Sequence, residues 1–226
     1  MKGEKIKRII TIVLVILLAA VVIFLNVRAR IEKELNNAPP SVSGNMTNAK
    51  PVIYLYPEET LEVSVKVENV DFTVTYPEHG DGWHVTAEPD GTLTNLADGG
   101  EYSYLFWEGK SDVKYDFSKG FCVKGKDTAK FLREALSTLG LTPREYNEFI
   151  VFWLPFMLDN EYNVISFQYD CYTDNAVLSV TPEPDTVLRV FMAFYESDEY
   201  VNIPEQKLEY TERKGFTVVE WGGAKK

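Results

Sequence analysis

The longest apolar run in the chain lies near its start. Ile9 to Leu25 contains neither a charge nor a proline. At 1.5 Å per residue such a run spans roughly 25 Å as a helix, close to the hydrocarbon thickness of a bilayer. The pattern predicts a transmembrane helix over Ile9 to Val27, with the lipid bilayer as its partner. A buried core helix of that length would keep some polar positions. Beyond Val27 the character changes. Arg28 to Asn37 is charged, and Ala38-Pro39-Pro40 ends any helix. Ser41 to Lys50 is small and polar, the composition of a linker.

From Pro51 onward the pattern is one of short strands. Val52 to Tyr56 is β-branched and aromatic, stopped by Pro57. In Leu61 to Val67 apolar Leu61, Val63, Val65 and Val67 alternate with polar residues, as a half-buried strand requires. Phe72–Tyr76, Trp83–Ala87, Thr92–Leu96 and Glu101–Glu108 follow, separated by turns rich in Gly, Pro and Asp. Gly109 to Gly125 reads as a loop around one short strand, Gly120–Val123.

There the period lengthens to that of a helix. Asp127 can cap a helix whose Phe131, Leu132, Ala135, Leu136 and Leu139 line one face, and Gly140 ends it. Thr142-Pro143-Arg144-Glu145 is a start signal for a second helix that turns Tyr146, Phe149, Ile150 and Trp153 inward. Pro155 ends it near Leu154. The short connection predicts a helical hairpin. Strands resume at Asn163–Gln168, Ala176–Val180, Val187–Tyr195 and Phe216–Trp221. The third of these is nearly all apolar, as a central strand buried on both faces would be. The expected fold class is α+β: an antiparallel β-sheet or sandwich with a packed helical hairpin, preceded by one transmembrane helix. The expected division is a cytoplasmic tail at 1–8, the membrane helix at 9–27, a stub and linker at 28–50, and a β-rich extracytoplasmic domain at 51–226.

Charge sets the orientation. Lys2, Lys5, Lys7 and Arg8 precede the apolar run against Glu4 alone, whereas Arg28, Arg30 and Lys33 after it are mixed with Glu32 and Glu34. The excess of positive residues places the N-terminus in the cytoplasm and the domain outside a single-pass cell membrane. A cleaved signal peptide would have a shorter apolar core, and Ala19 and Ala20 lie inside the run rather than after it. No cysteine stands near it to carry a lipid. Of the net charge of −11, the first thirty residues carry +5 and the remainder −16. So acidic a domain repels nucleic acid and anionic lipid. Cys122 and Cys171 permit a single disulfide, which the sequence leaves open.

Six segments together resemble a family of uncharacterised bacterial proteins: KPVIYLYP (Lys50–Pro57), GWHVTAEPDGTL (Gly82–Leu93), YSYLFWEG (Tyr102–Gly109), KGFCVKGKDT (Lys119–Thr128), LGLTPREYNEFIVFWLP (Leu139–Pro155) and VVEWGG (Val218–Gly223). The resemblance covers the whole domain. It implies a bacterial origin and a single domain. It brings no activity and no site residues.

Chemistry must therefore be sought in the residues themselves. The chain has no GxSxG, HExxH, phosphate-loop or CxxC pattern, and no cofactor is indicated. His79, Asp81 and His84 could place three metal ligands around one turn, but three ligands from a loop make a weak metal signal, and a solvated turn with His84 on a strand face accounts for them better. Asp90 to Glu101 has the length of a calcium loop but lacks the acids inside it. Glu108 beside Trp107 and Glu220 beside Trp221 could serve as general acid and base, yet 34 acidic residues supply such pairs by chance. Tyr102, Tyr104 and Phe106 alternate along one strand face. Exposed, they would form a platform for a glycan or a peptide. The expectation is a noncatalytic binding or interaction module of the cell envelope, with a glycan, peptide or protein as partner. The alternative is an envelope-acting hydrolase using paired carboxylates, which would stand about 5–10 Å apart.

Overall fold

In the computed structural model, the structure describes residues 46–111 and 113–226, together with Asn26 and Arg28. The apolar run Ile9 to Leu25 lies outside the described residues. Among those described, no helix is long and apolar enough to cross a membrane.

The domain is α+β. Its larger sheet has seven strands: β1 (Met46–Tyr56), β3 (Asp71–Tyr76), β7 (Leu105–Ser111), β8 (Phe121–Lys124), β9 (Tyr162–Gln168), β11 (Thr186–Ser197) and β12 (Thr217–Lys225). Their order is β3-β7-β1-β12-β11-β9-β8. A second sheet takes β2 (Leu61–Glu68), β4 (Trp83–Ala87), β5 (Leu93–Asn95), β6 (Glu101–Tyr102) and β10 (Val177–Thr181), in the order β10-β2-β4-β5-β6. Helices α1 (Thr128–Leu139) and α2 (Pro143–Trp153) form the expected hairpin, and a short α3 (Asp170–Thr173) follows β9.

One core lies between the sheets, built on Ile53, Leu55, Val65, Trp83, Trp107 and Phe191. A second lies between the larger sheet and the helical hairpin, around Tyr54, Leu136, Phe149, Trp153, Val219 and Trp221. The larger sheet is thus covered on both faces. That is why eight consecutive residues of β12, Thr217 to Ala224, are buried: alternate side chains enter alternate cores. Gly223 gives α2 its approach. A Cβ there would stand 2.7 Å from the Trp153 ring and 2.6 Å from the Met192 carbonyl oxygen. Gly140 ends α1 at φ +106, a left-handed conformation suited to glycine.

Several local expectations are corrected. β1 begins at Met46, inside the segment read as linker, and pairs there with β7. Glu101 to Glu108 is not one strand. It breaks at Ser103-Tyr104, so that β6 joins the smaller sheet and β7 the larger. β7 continues to Ser111, into the segment read as loop. Asp127 precedes α1 without a capping side-chain bond. β11 and β12 run parallel within an otherwise antiparallel sheet. Cys122 and Cys171 are both unpaired thiols.

From β11 to β12 the chain crosses the domain as a strap. The Gly120 N–H donates to the Pro204 carbonyl at 2.9 Å. The Gln206 amide exchanges two hydrogen bonds with the Phe167 backbone, at 2.9 and 2.6 Å. Arg213 donates to the Gly140 carbonyl and to Glu145 at the start of α2.

Candidate functional site

Partly accessible aromatic side chains gather where β1, β7 and α2 meet. β7 alternates, sending Leu105 and Trp107 into the inter-sheet core and Phe106 and Glu108 to the helix side. Tyr104, just before β7, joins them. From α2, Phe152 reaches over the sheet, and from the end of β3, Tyr76 closes the other wall. These residues and Lys50 line a groove of about 400 Å³. Tyr54 supports it from below, with its ring edge-on to Tyr104 at 5.4 Å and parallel to Tyr56 at 6.0 Å. The Tyr54 hydroxyl donates to Glu148 at 2.7 Å. Burial, and then that carboxylate, push the Tyr54 phenol well above its ordinary pKa, so it stays a neutral donor. The Lys50 ammonium lies over the Phe152 ring at 5.0 Å and the Trp221 ring at 5.6 Å. Glu108 accepts from the Lys50 backbone N–H at 3.3 Å. The groove thus joins flat apolar walls to one cation and one carboxylate, a composition suited to holding an uncharged, partly apolar ligand.

The sequence candidates fall into three places. Tyr104 and Phe106 are in the groove, while Tyr102 is not. It sits on β6, one ring behind, edge-on to Tyr76 at 5.2 Å. Its hydroxyl donates to Asp98 at 2.8 Å, a bond that, with some loss of solvent, holds its pKa up at about 12. Glu108 and Glu220 occupy opposite faces of the larger sheet. Glu220 is 1% exposed and lies in the inter-sheet core. There it accepts from Trp107 Nε1 at 3.3 Å and from Arg189 Nε at 2.6 Å. The two carboxylates do not converge on a common cleft.

His79, Asp81 and His84 border one shallow depression but are not gathered as ligands. Among the described residues, no group of three His, Cys, Asp or Glu could hold a metal ion. His79 packs against Trp83 at 4.5 Å and Phe72 at 4.8 Å, and its Nδ1 faces the Gly80 carbonyl. His84 Nδ1 lies 2.8 Å from the Ser64 hydroxyl across the β2–β4 pair. Asp90 and Asp98 accept from backbone N–H groups two residues on, as turn residues do.

Sequence reading missed Tyr76, Phe152 and Lys50, which complete the groove. Phe152 lies outside the inward-facing set Tyr146, Phe149, Ile150 and Trp153, and is aromatic nonetheless.

No family model and no solved structure matches the chain. Over 64 residues, 26% of this chain, it is 47% identical to a Butyrivibrio fibrisolvens protein described as "Uncharacterized protein in bglA 3'region". The matched stretch spans 65% of that relative's length.

Proposed function

We propose that this chain is a single-pass membrane protein whose extracytoplasmic domain is a noncatalytic binding module of the cell envelope, and that the aromatic groove is its binding site. The groove carries this reading. Four rings from β3, β7 with the residue before it, and α2 line it, and Tyr76 remains 62% exposed. The anchor rests on the apolar run Ile9 to Val27, and the orientation on the basic residues before it. The bacterial source of the Butyrivibrio relative agrees with the bacterial origin implied by the segment resemblance. An uncharged envelope glycan or a peptide of low charge suits a groove with one lysine and one glutamate.

The test is retention of the purified protein on isolated cell-wall sacculi. A Tyr104→Ala, Phe106→Ala variant should lose most of the retained fraction, since stacked aromatic contacts contribute about 1 kcal/mol or more each. A Glu108→Gln variant, which leaves the buried Glu220–Arg189 pair intact, should release no less glycan or peptide than the parent. Turnover by the parent that vanishes in the glutamine variant would replace binding with hydrolysis. Retention unchanged by loss of both rings would remove the groove.

A further inference from the structure

Strand β9 stops short of the first residues of its neighbour β11. The last residue of β9, Gln168, pairs with Phe191. Thr186 to Val190 of β11 therefore have β12 on one side and no strand on the other. The direction of their backbone groups can be read from both ends of the strand. The Thr186 N–H donates toward β12, to the Phe216 carbonyl at 3.2 Å. The Phe194 carbonyl faces the same side, accepting from Lys226 N at 3.1 Å. The register between β11 and β12 is unbroken, so even-numbered residues turn their N–H and C=O to β12 and odd-numbered residues turn theirs away. Val187 and Arg189 thus present two donors and two acceptors, at strand spacing, to the vacant side. A cleft of about 280 Å³ runs along them, bounded opposite by Tyr169, Asp170, Leu139 and Glu209.

The outer edge of β9 makes a telling contrast. There Phe167 also lacks a strand partner, but the Gln206 side-chain amide supplies both a donor and an acceptor in its place. Among the described residues, nothing does this for Val187 and Arg189. Val187 is 46% exposed, so the edge is reachable.

We propose that this open edge binds an extended peptide segment of another polypeptide, laid in line with β9 as an added strand. Backbone bonding to Val187 and Arg189 requires about three consecutive peptide residues at ~3.3 Å rise. The Arg189 charge is taken by Glu220 and the Glu209 charge by Lys207 at 2.8 Å, whereas the Asp170 carboxylate stands exposed at the rim. The domain as a whole is acidic. The peptide is therefore neutral or basic. The site is separate from the aromatic groove and does not depend on its function.

The experiment pans a phage-displayed random heptapeptide library on the full chain kept in detergent, then measures synthetic copies of the enriched peptides. Neutral or basic peptides should emerge. N-methylation at alternate peptide positions should abolish binding at one parity and leave it at the other, because an added strand turns only alternate N–H groups to its neighbour. Val187→Pro removes one outward donor at an edge position that tolerates proline. It should weaken binding at least about tenfold, while Val187→Thr stays within about twofold. The Tyr104→Ala, Phe106→Ala variant should bind these peptides like the parent. Failure to enrich any peptide, equal loss at both methylation parities, or full binding by a folded Val187→Pro variant would overturn the proposal.

Discussion

Arg189 and Glu220 stand opposite each other on neighbouring parallel strands and form an ion pair inside the sandwich, Nε to Oε2 at 2.6 Å. The guanidinium lies over the Tyr172 ring at 4.8 Å, and burial pushes the Tyr172 phenol well above its ordinary pKa. Removing one member of such a pair leaves the other charged without a counter-ion. Glu220→Gln should cost about 3 kcal/mol in urea unfolding, whereas Arg189→Met with Glu220→Leu should recover most of that loss. A cost below about 1 kcal/mol for the single change would mean that the pair behaves as a surface pair.

A second ion pair ties the strap to the helical hairpin. Arg213 Nη1 and Nη2 meet Glu145 Oε1 and Oε2 at 2.9 and 2.5 Å, and Glu145 also accepts the Thr142 N–H at 2.8 Å. Glu145 is fully buried. Arg213→Ala should cost about 3 kcal/mol and speed amide exchange in the strap and the first turn of α2. Exchange confined to residue 213 would show that the strap is held elsewhere.

Close packing sets a third expectation. Gly223→Ala pushes a methyl group against Trp153 and the Met192 carbonyl. It should lower stability by about 2 kcal/mol through overpacking. Trp153→Leu in the Gly223→Ala background should cost less than in the parent, because the smaller ring-free side chain makes room.

His79 gives a pH dependence. Desolvation against Trp83 and Phe72 lowers its pKa below 6.5, a shift partly opposed by the Gly80 carbonyl and Asp81 and reinforced by Lys66. A histidine of depressed pKa takes its proton more readily when unfolded. Its contribution is complete above about pH 6.5 and is lost as pH falls through that value toward the folded pKa. The stability difference between the parent and His79→Gln should therefore move against the parent between pH 7.5 and pH 5.5, as thermal unfolding would report. A difference constant across that range would sink the assignment.

Topology is tested by protease. Added to intact protoplasts, it should remove a tag placed after Lys226, as an extracytoplasmic domain requires. A tag that survives until lysis would put the domain on the other side.

Much of the fold was legible because it rests on short-range regularities. Alternation placed β2 and β4, the nearly all-apolar run from Val187 marked a central strand, and Thr142-Pro143-Arg144-Glu145 announced α2, since capping and periodicity act within a turn or two. The break at Ser103-Tyr104 escaped notice because Tyr102 and Leu105 have the same β-forming character. Only pairing with different partners sends them into different sheets. The aromatic strip was half legible for the same reason: Tyr104 and Phe106 were named, but the walls given by Tyr76 and Phe152 come from elements distant in sequence.

Residue order alone was enough for the alternating strands, the helical hairpin, the acidic character of the domain and the apolar run at the N-terminus. Each of these follows from side-chain type and local period. It took the folded strands to show that Glu220 is a buried counter-ion of Arg189 rather than a partner of Glu108, and that β9 stops short of Val187. Both depend on strand register, and a shift of one residue reverses which face or edge every group meets.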